Sequence, residues 1–204
     1  MNVVISLRLS IINGYKENNL YMFKNMMTIR FECVILIRKT EYLITGALIA
    51  AAYAGLTYLS NIFALAYGPI QLRISEMLTI LPVFTPAAIP GLTVGCFIAN
   101  IGSFNMLDMV FGTAATLIAA ILTYLLRDYK VKGLPLLAAL PPVLVNAVVI
   151  GAEIAWFFLP EGASLWGFLI SGAEVGISQL IICYVFGMPF YTVVKKHKIF
   201  ERKI

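Results

Sequence analysis

At 204 residues, with 61% hydrophobic and 12% charged side chains and a mean hydropathy of +0.92, the chain is too apolar for a soluble domain. Its formal net charge of +5 does not mark a nucleic-acid binder, because Lys and Arg concentrate before Glu41, between Arg127 and Lys132, and after Lys195. Clusters of that kind between long apolar stretches are a topology signal, since cytoplasmic loops carry the excess of basic residues.

Residues 1 to 38 mix short apolar runs with Arg8, Lys16, Lys24 and Arg30, have no signal-peptide layout, and contain Met22, Met26 and Met27 as alternative starts. They read as a dispensable cytoplasmic extension ahead of a membrane domain over 39–204. Deleting residues 1 to 38 is expected to leave solute uptake intact, as measured in cells. Loss of uptake by a truncated chain that still inserts would give the extension a function.

The apolar pattern predicts long spans over Tyr42–Ala66, Met106–Leu126, Leu134–Leu159 and Ser164–Val194, each above the roughly 20 residues that a helix needs to cross the hydrocarbon layer. Between the first two lies the Pro-containing run Gly68 to Ile101, which is either one broken span or two short ones separated by Pro86 and Pro90. If the N-terminus, the Arg127–Lys132 loop and the tail share one side, an even number of spans precedes Arg127, and the run must supply two. The expectation is an all-α, polytopic membrane protein with six transmembrane helices and both termini cytoplasmic. The connections near Asn61–Ile74, Gly102–Asn105 and Leu159–Ser164 would then face outward.

Several absences narrow the chemistry. The chain has no G-x-x-x-x-G-K-[ST] phosphate loop, so it cannot hydrolyse ATP by that route, and its one histidine, His197, lies in the basic tail. Cys33, Cys96 and Cys183 have neither a paired framework nor metal-ligand spacing and read as packing residues. No enzyme activity, metal or cofactor is implied.

Ionisable groups at membrane depth are costly and mark functional positions. Here they are Arg73, Glu76, Asp108, Glu153 and Glu174. On the fifth expected helix Asn146, Val149, Glu153 and Trp156 recur at helical spacing, and on the sixth Ser171, Glu174 and Ser178 do so. An acid-rich pocket with aromatic walls suits a solute rich in N–H donors or carrying positive charge. Each residue also has a plainer reading: Arg73 and Glu76 pairing with each other, Asp108 capping a helix, and Trp156 and Trp166 anchoring an interface. Glu153 and Glu174 would serve the solute or carry protons. On the first helix Ala47, Ala51 and Gly55 form a small-xxx-small row with Ala50 and Ala54 beside it, which permits close approach of another helix, from a partner or from this chain.

The run IQLRISEMLTILPVFTPAAIPGLTVGCFIAN, then DMVFGTAATLIAAILTYLLR from Asp108, PPVLVNAVVIGAE from Pro141, Glu174 and the GMP of Gly187 to Pro189 together resemble the QueT family of substrate-binding S components of energy-coupling factor (ECF) transporters. The resemblance covers roughly Tyr42 to Lys196. It implies an ECF S-component fold in the bacterial inner membrane and capture of a queuosine precursor, 7-aminomethyl-7-deazaguanine, from outside the cell. It also implies assembly with a transmembrane T subunit, which in such proteins meets an alanine-rich first helix, and with two ATPase subunits. On that reading Glu153 or Glu76 receives the purine edge, another acid the ammonium, Asn146 the carbonyl, and Trp156 or Tyr67 stacks. The rival readings are an S component for another vitamin or nucleobase-like solute, a secondary transporter in which Glu153 and Glu174 carry protons, and a structural membrane subunit that binds no solute.

Overall fold

A computed structural model describes residues 38–62, 73–102, 106–159 and 164–200. The chain divides into two units, Met1–Leu43, of which only the start of the first helix is described, and Ile44–Ile204, which holds every later element.

Among the described residues the structure is all-helical, with an isolated Val131–Leu134 bridge closing the basic turn. Helix α1 runs Arg38–Ile62. A 3-10 helix, Ile74–Val83, is followed by α2 (Ala88–Ile101), α3 (Met106–Leu125), α4 (Leu140–Phe157) and α5 (Leu165–Ile181); a π segment, Ile182–Phe186, then leads without a break into α6 (Gly187–Lys196). Four helical stretches are long and apolar enough to cross a membrane: Arg38–Ile62, Met106–Leu125, Leu137–Phe157 and Leu165–Lys196. These fall on the four expected spans, with shifted ends; residues 63–66 of the first expected span lie outside the described residues. The expected start at Leu134 is displaced because Leu134 closes the turn whose Lys132 and Gly133 have φ of 51° and 80°, and the helix begins only where Pro141 and Pro142 can occupy its first turn.

The Pro-containing run is two short helices, of 10 and 14 residues. The break falls at Phe84–Ala87. Of the two prolines expected to mark it, Pro86 lies in the break, whereas Pro90 sits in the first turn of α2, where its missing N–H costs no helical bond. Ten residues is long for a 3-10 helix, and the stretch is held by its neighbours, packing against α3, α6 and the π segment. The π segment has a local cause in Pro189: a proline ring clashes with the carbonyl four residues back, here that of Val185, and a widened turn relieves the clash.

Helix α3 packs between α2 and α4, and α4 packs on α5. Tyr53, Leu92, Cys96, Ala99 and Ala120 form the main core, while Leu48, Val110, Ile118, Val148, Ile170 and Ile177 are exposed. Large apolar side chains on the outside are what a lipid-facing surface requires. Small residues bring α1 and α2 together: a Cβ on Gly95 would lie 2.8 Å from the Ala50 carbonyl oxygen and 2.9 Å from Tyr53 Cβ. Both neighbours are stiff, one of them backbone. Gly95→Ala is therefore expected to destabilise the fold by about 1–3 kcal/mol, read as a lower melting temperature in detergent.

Candidate functional site

Two polar clusters meet where the 3-10 helix begins. Arg73, its N-terminal flanking residue, sends Nη2 to Asp108 Oδ2 at 2.7 Å and Nη1 to Asn100 Oδ1 at 3.0 Å. Asn100, near the end of α2, donates in turn to the Asp108 carbonyl at 2.9 Å. Both side chains of the ion pair are almost fully buried. Such a pair survives desolvation only if its remaining hydrogen-bonding groups are matched, which is what Asn100 supplies. Asp108 thus binds a buried guanidinium in the first turn of α3 rather than capping that helix toward the surface.

The second cluster centres on Glu76. Its carboxylate accepts a short hydrogen bond from the Tyr53 hydroxyl of α1 and one of 2.8 Å from Gln179 Nε2 of α5. Thr79 donates to the Glu76 carbonyl at 2.6 Å, and the Thr57 and Ser75 hydroxyls pair at 2.7 Å. The short 3-10 helix is therefore tied to α1 and α5 through one carboxylate.

Between the clusters lies a cavity with about 360 Å³ of empty space, counting the part open to solvent. Arg73, Glu76, Gly112, Thr116, Asn146, Ile150, Val175 and Gln179 line it. Asn146 is 8% exposed, yet its amide makes no hydrogen bond among the described residues. Buried amides are normally satisfied, because an unmet donor or acceptor costs about 1–3 kcal/mol. The cavity thus presents acceptors at Glu76 and both a donor and an acceptor at Asn146, beside a guanidinium whose charge Asp108 answers.

Of the residues singled out in the sequence, Arg73, Glu76 and Asn146 come together around this space, and Asp108 supports it through Arg73. Glu153 is buried on α4, one turn beyond Ile150, but does not line the cavity. Trp156 is 58% exposed, with its ring edge-on to Phe168 at 6.3 Å, and is not brought to the cavity. Glu174 is half-buried. The buried face of α5 is Ser171, Val175, Ser178 and Gln179, so the cavity meets the side of that helix next to Glu174. Tyr67 lies outside the described residues.

The small-residue row on α1 also divides. Ala50 and Ala54 are buried within the chain, at 5% and 6% exposure, Ala50 against Gly95; they are not available to a partner, which corrects their place in the docking row. Ala47, Ala51 and Gly55 remain exposed.

Gln179, Tyr53, Asn100 and Thr116 do not stand out in the sequence. Neutral polar residues on apolar helices have many harmless placements, and only the i, i+4 relation of Gln179 to Val175, on the face begun by Ser171, hints at a shared wall.

Residues 43–196 match the family model described as QueT transporter. A protein of Lactococcus lactis subsp. cremoris (strain MG1363), named queuosine precursor transporter QueT, is 41% identical over 90 residues, which is 44% of this chain and 53% of that protein. The chain therefore spans about half the length of the curated relative it matches. No solved structure matches it significantly. With three quarters of its length matched, including every residue that lines the cavity, this chain belongs to the QueT transporter family.

Proposed function

We propose that the chain is the solute-capturing S component of an ECF importer and that it takes a queuosine precursor, 7-aminomethyl-7-deazaguanine, from the outer face into the cavity between α3, α4, α5 and the 3-10 helix. The observation that carries this reading is Asn146, a buried amide with no hydrogen-bond partner among the described residues, facing a space that Glu76 and Gln179 share. A guanine-type edge offers parallel N–H groups to a carboxylate and a carbonyl to an amide donor, which are the complements of Glu76 and Asn146. Trp156 and Trp166, both exposed, serve as interface anchors.

The lack of a phosphate loop supports a reading in which partner subunits hydrolyse ATP, and the exposed row Ala47, Ala51 and Gly55 is the surface proposed for a T subunit. The basic clusters support cytoplasmic termini in the bacterial cell membrane. A proton-coupled transporter built on Glu153 and Glu174 would instead lose uptake with the proton gradient and keep it without ATPases. The decisive test is mass spectrometry of small molecules that co-purify with the chain, followed by calorimetry with the identified base. A bound solute of other chemistry would replace the cargo assignment, and absence of any solute binding would leave the structural-subunit reading.

A further inference from the structure

The side chain of Gln179 is 7% exposed and lines the cavity, and its orientation is dictated by its neighbour. An ionised carboxylate can only accept, so the end of the amide at 2.8 Å from Glu76 Oε2 must be the nitrogen. The second N–H of that nitrogen goes to Cys183 Sγ at 3.7 Å. Both donors of Gln179 are thus engaged, and its carbonyl oxygen has no hydrogen-bond partner among the described residues. Glu76, with one bond to Tyr53 and one to Gln179, keeps lone pairs on both oxygens for a further donor. Glu76 Oε1, Glu76 Oε2 and Gln179 Oε1 are thus three acceptors on two residues that line the cavity, held by buried bonds from α1 and α5.

We infer that Gln179 is a specificity-determining residue of this cavity: its carbonyl accepts an exocyclic amine of a fused heterocycle, so that the site takes bases carrying a cyclic guanidine edge and rejects those that lack the amino group. The inference rests on the cavity being the solute site, as proposed above. A guanidine edge presents a ring N–H and an amine N–H side by side, which suit the two carboxylate oxygens, and a second amine hydrogen that needs a neighbouring acceptor. Without the amine, one oxygen of Glu76 and the carbonyl of Gln179 are both closed off from water with nothing to accept. Sites built to bond a polar group discriminate strongly against ligands missing it, more than sites that merely fit a shape.

The test uses the full chain in detergent and calorimetry with two bases, 7-aminomethyl-7-deazaguanine and the analogue without the 2-amino group. The wild type is expected to prefer the amino base by roughly a hundredfold. In Gln179→Met, which keeps length and volume but has no amide, the preference should fall to roughly tenfold or less, with the larger loss on the amino base. Gln179→Asn, whose carbonyl is withdrawn by one methylene, should show the same collapse and serves if the Met variant does not fold. Equal binding of the two bases by the wild type overturns the inference while leaving the cavity as the solute site. An undiminished preference in a folded variant does the same. Failure of the wild type to bind either base removes the deazapurine reading and this inference with it.

Discussion

Glu76→Gln should abolish solute binding, weakening affinity by at least about a hundredfold, while the protein stays folded and extractable. The carboxylate now accepts from Tyr53 and from Gln179. An amide in its place keeps one acceptor oxygen and turns the other end into a donor, and even if the Tyr53 hydroxyl rotates to accept from it, the paired N–H groups of the ligand then meet a single acceptor. No orientation serves both N–H groups of the ligand. Calorimetry on the folded variant checks this, and an affinity within a few-fold of wild type would take Glu76 out of the site.

Ala51→Trp should separate capture from transport. Ala51 is exposed on α1 beside Ala47 and Gly55, whereas Tyr53, which reaches Glu76, is fully buried on another side of the helix. A bulky ring at position 51 would block the close helix approach on which association within a bilayer depends. ATP-dependent uptake should fall at least about tenfold, and solute binding by the isolated chain should persist. Loss of both activities in a folded variant would instead place Ala51 in the chain's own packing. Unchanged uptake would remove the row from the docking surface. Ala50→Trp is the contrasting control: with Ala50 buried against Gly95, the same ring has no room and should prevent folding.

Much of this protein is legible in its amino-acid order alone. Hydrocarbon thickness sets a length that a spanning helix must reach, so runs such as Met106–Leu126 declare themselves, and the observed Met106–Leu125 ends one residue earlier. The Pro-containing run reads as broken or divided, and it is divided into two short helices, while four other stretches are long enough to cross a membrane. Burial of charge is also predictable, since an Arg or an acid in an apolar stretch must find a partner or a task. Arg73, Glu76 and Asp108 stand out on that ground, and all three are buried in the two clusters.

What the sequence could not decide is which of those groups face each other, because pairing joins residues far apart in the chain. Arg73 lies three residues from Glu76, yet the partner seen is Asp108, 35 positions away, with Asn100 completing the bond set. Helical spacing puts Asn146, Glu153 and Trp156 on one face, but a face extends over several turns and a cavity does not: Asn146 reaches the cavity, Glu153 is buried beyond its lining, and Trp156 points outward. Gln179 is invisible for the opposite reason. A neutral amide gives no signal of its own on an apolar helix, and it gains meaning only when packing sets it against Glu76, 103 residues earlier. Length, polarity and charge act locally and can be read along the chain, whereas the matching of donors to acceptors depends on distances of about 3 Å between separate helices, which only their packing sets.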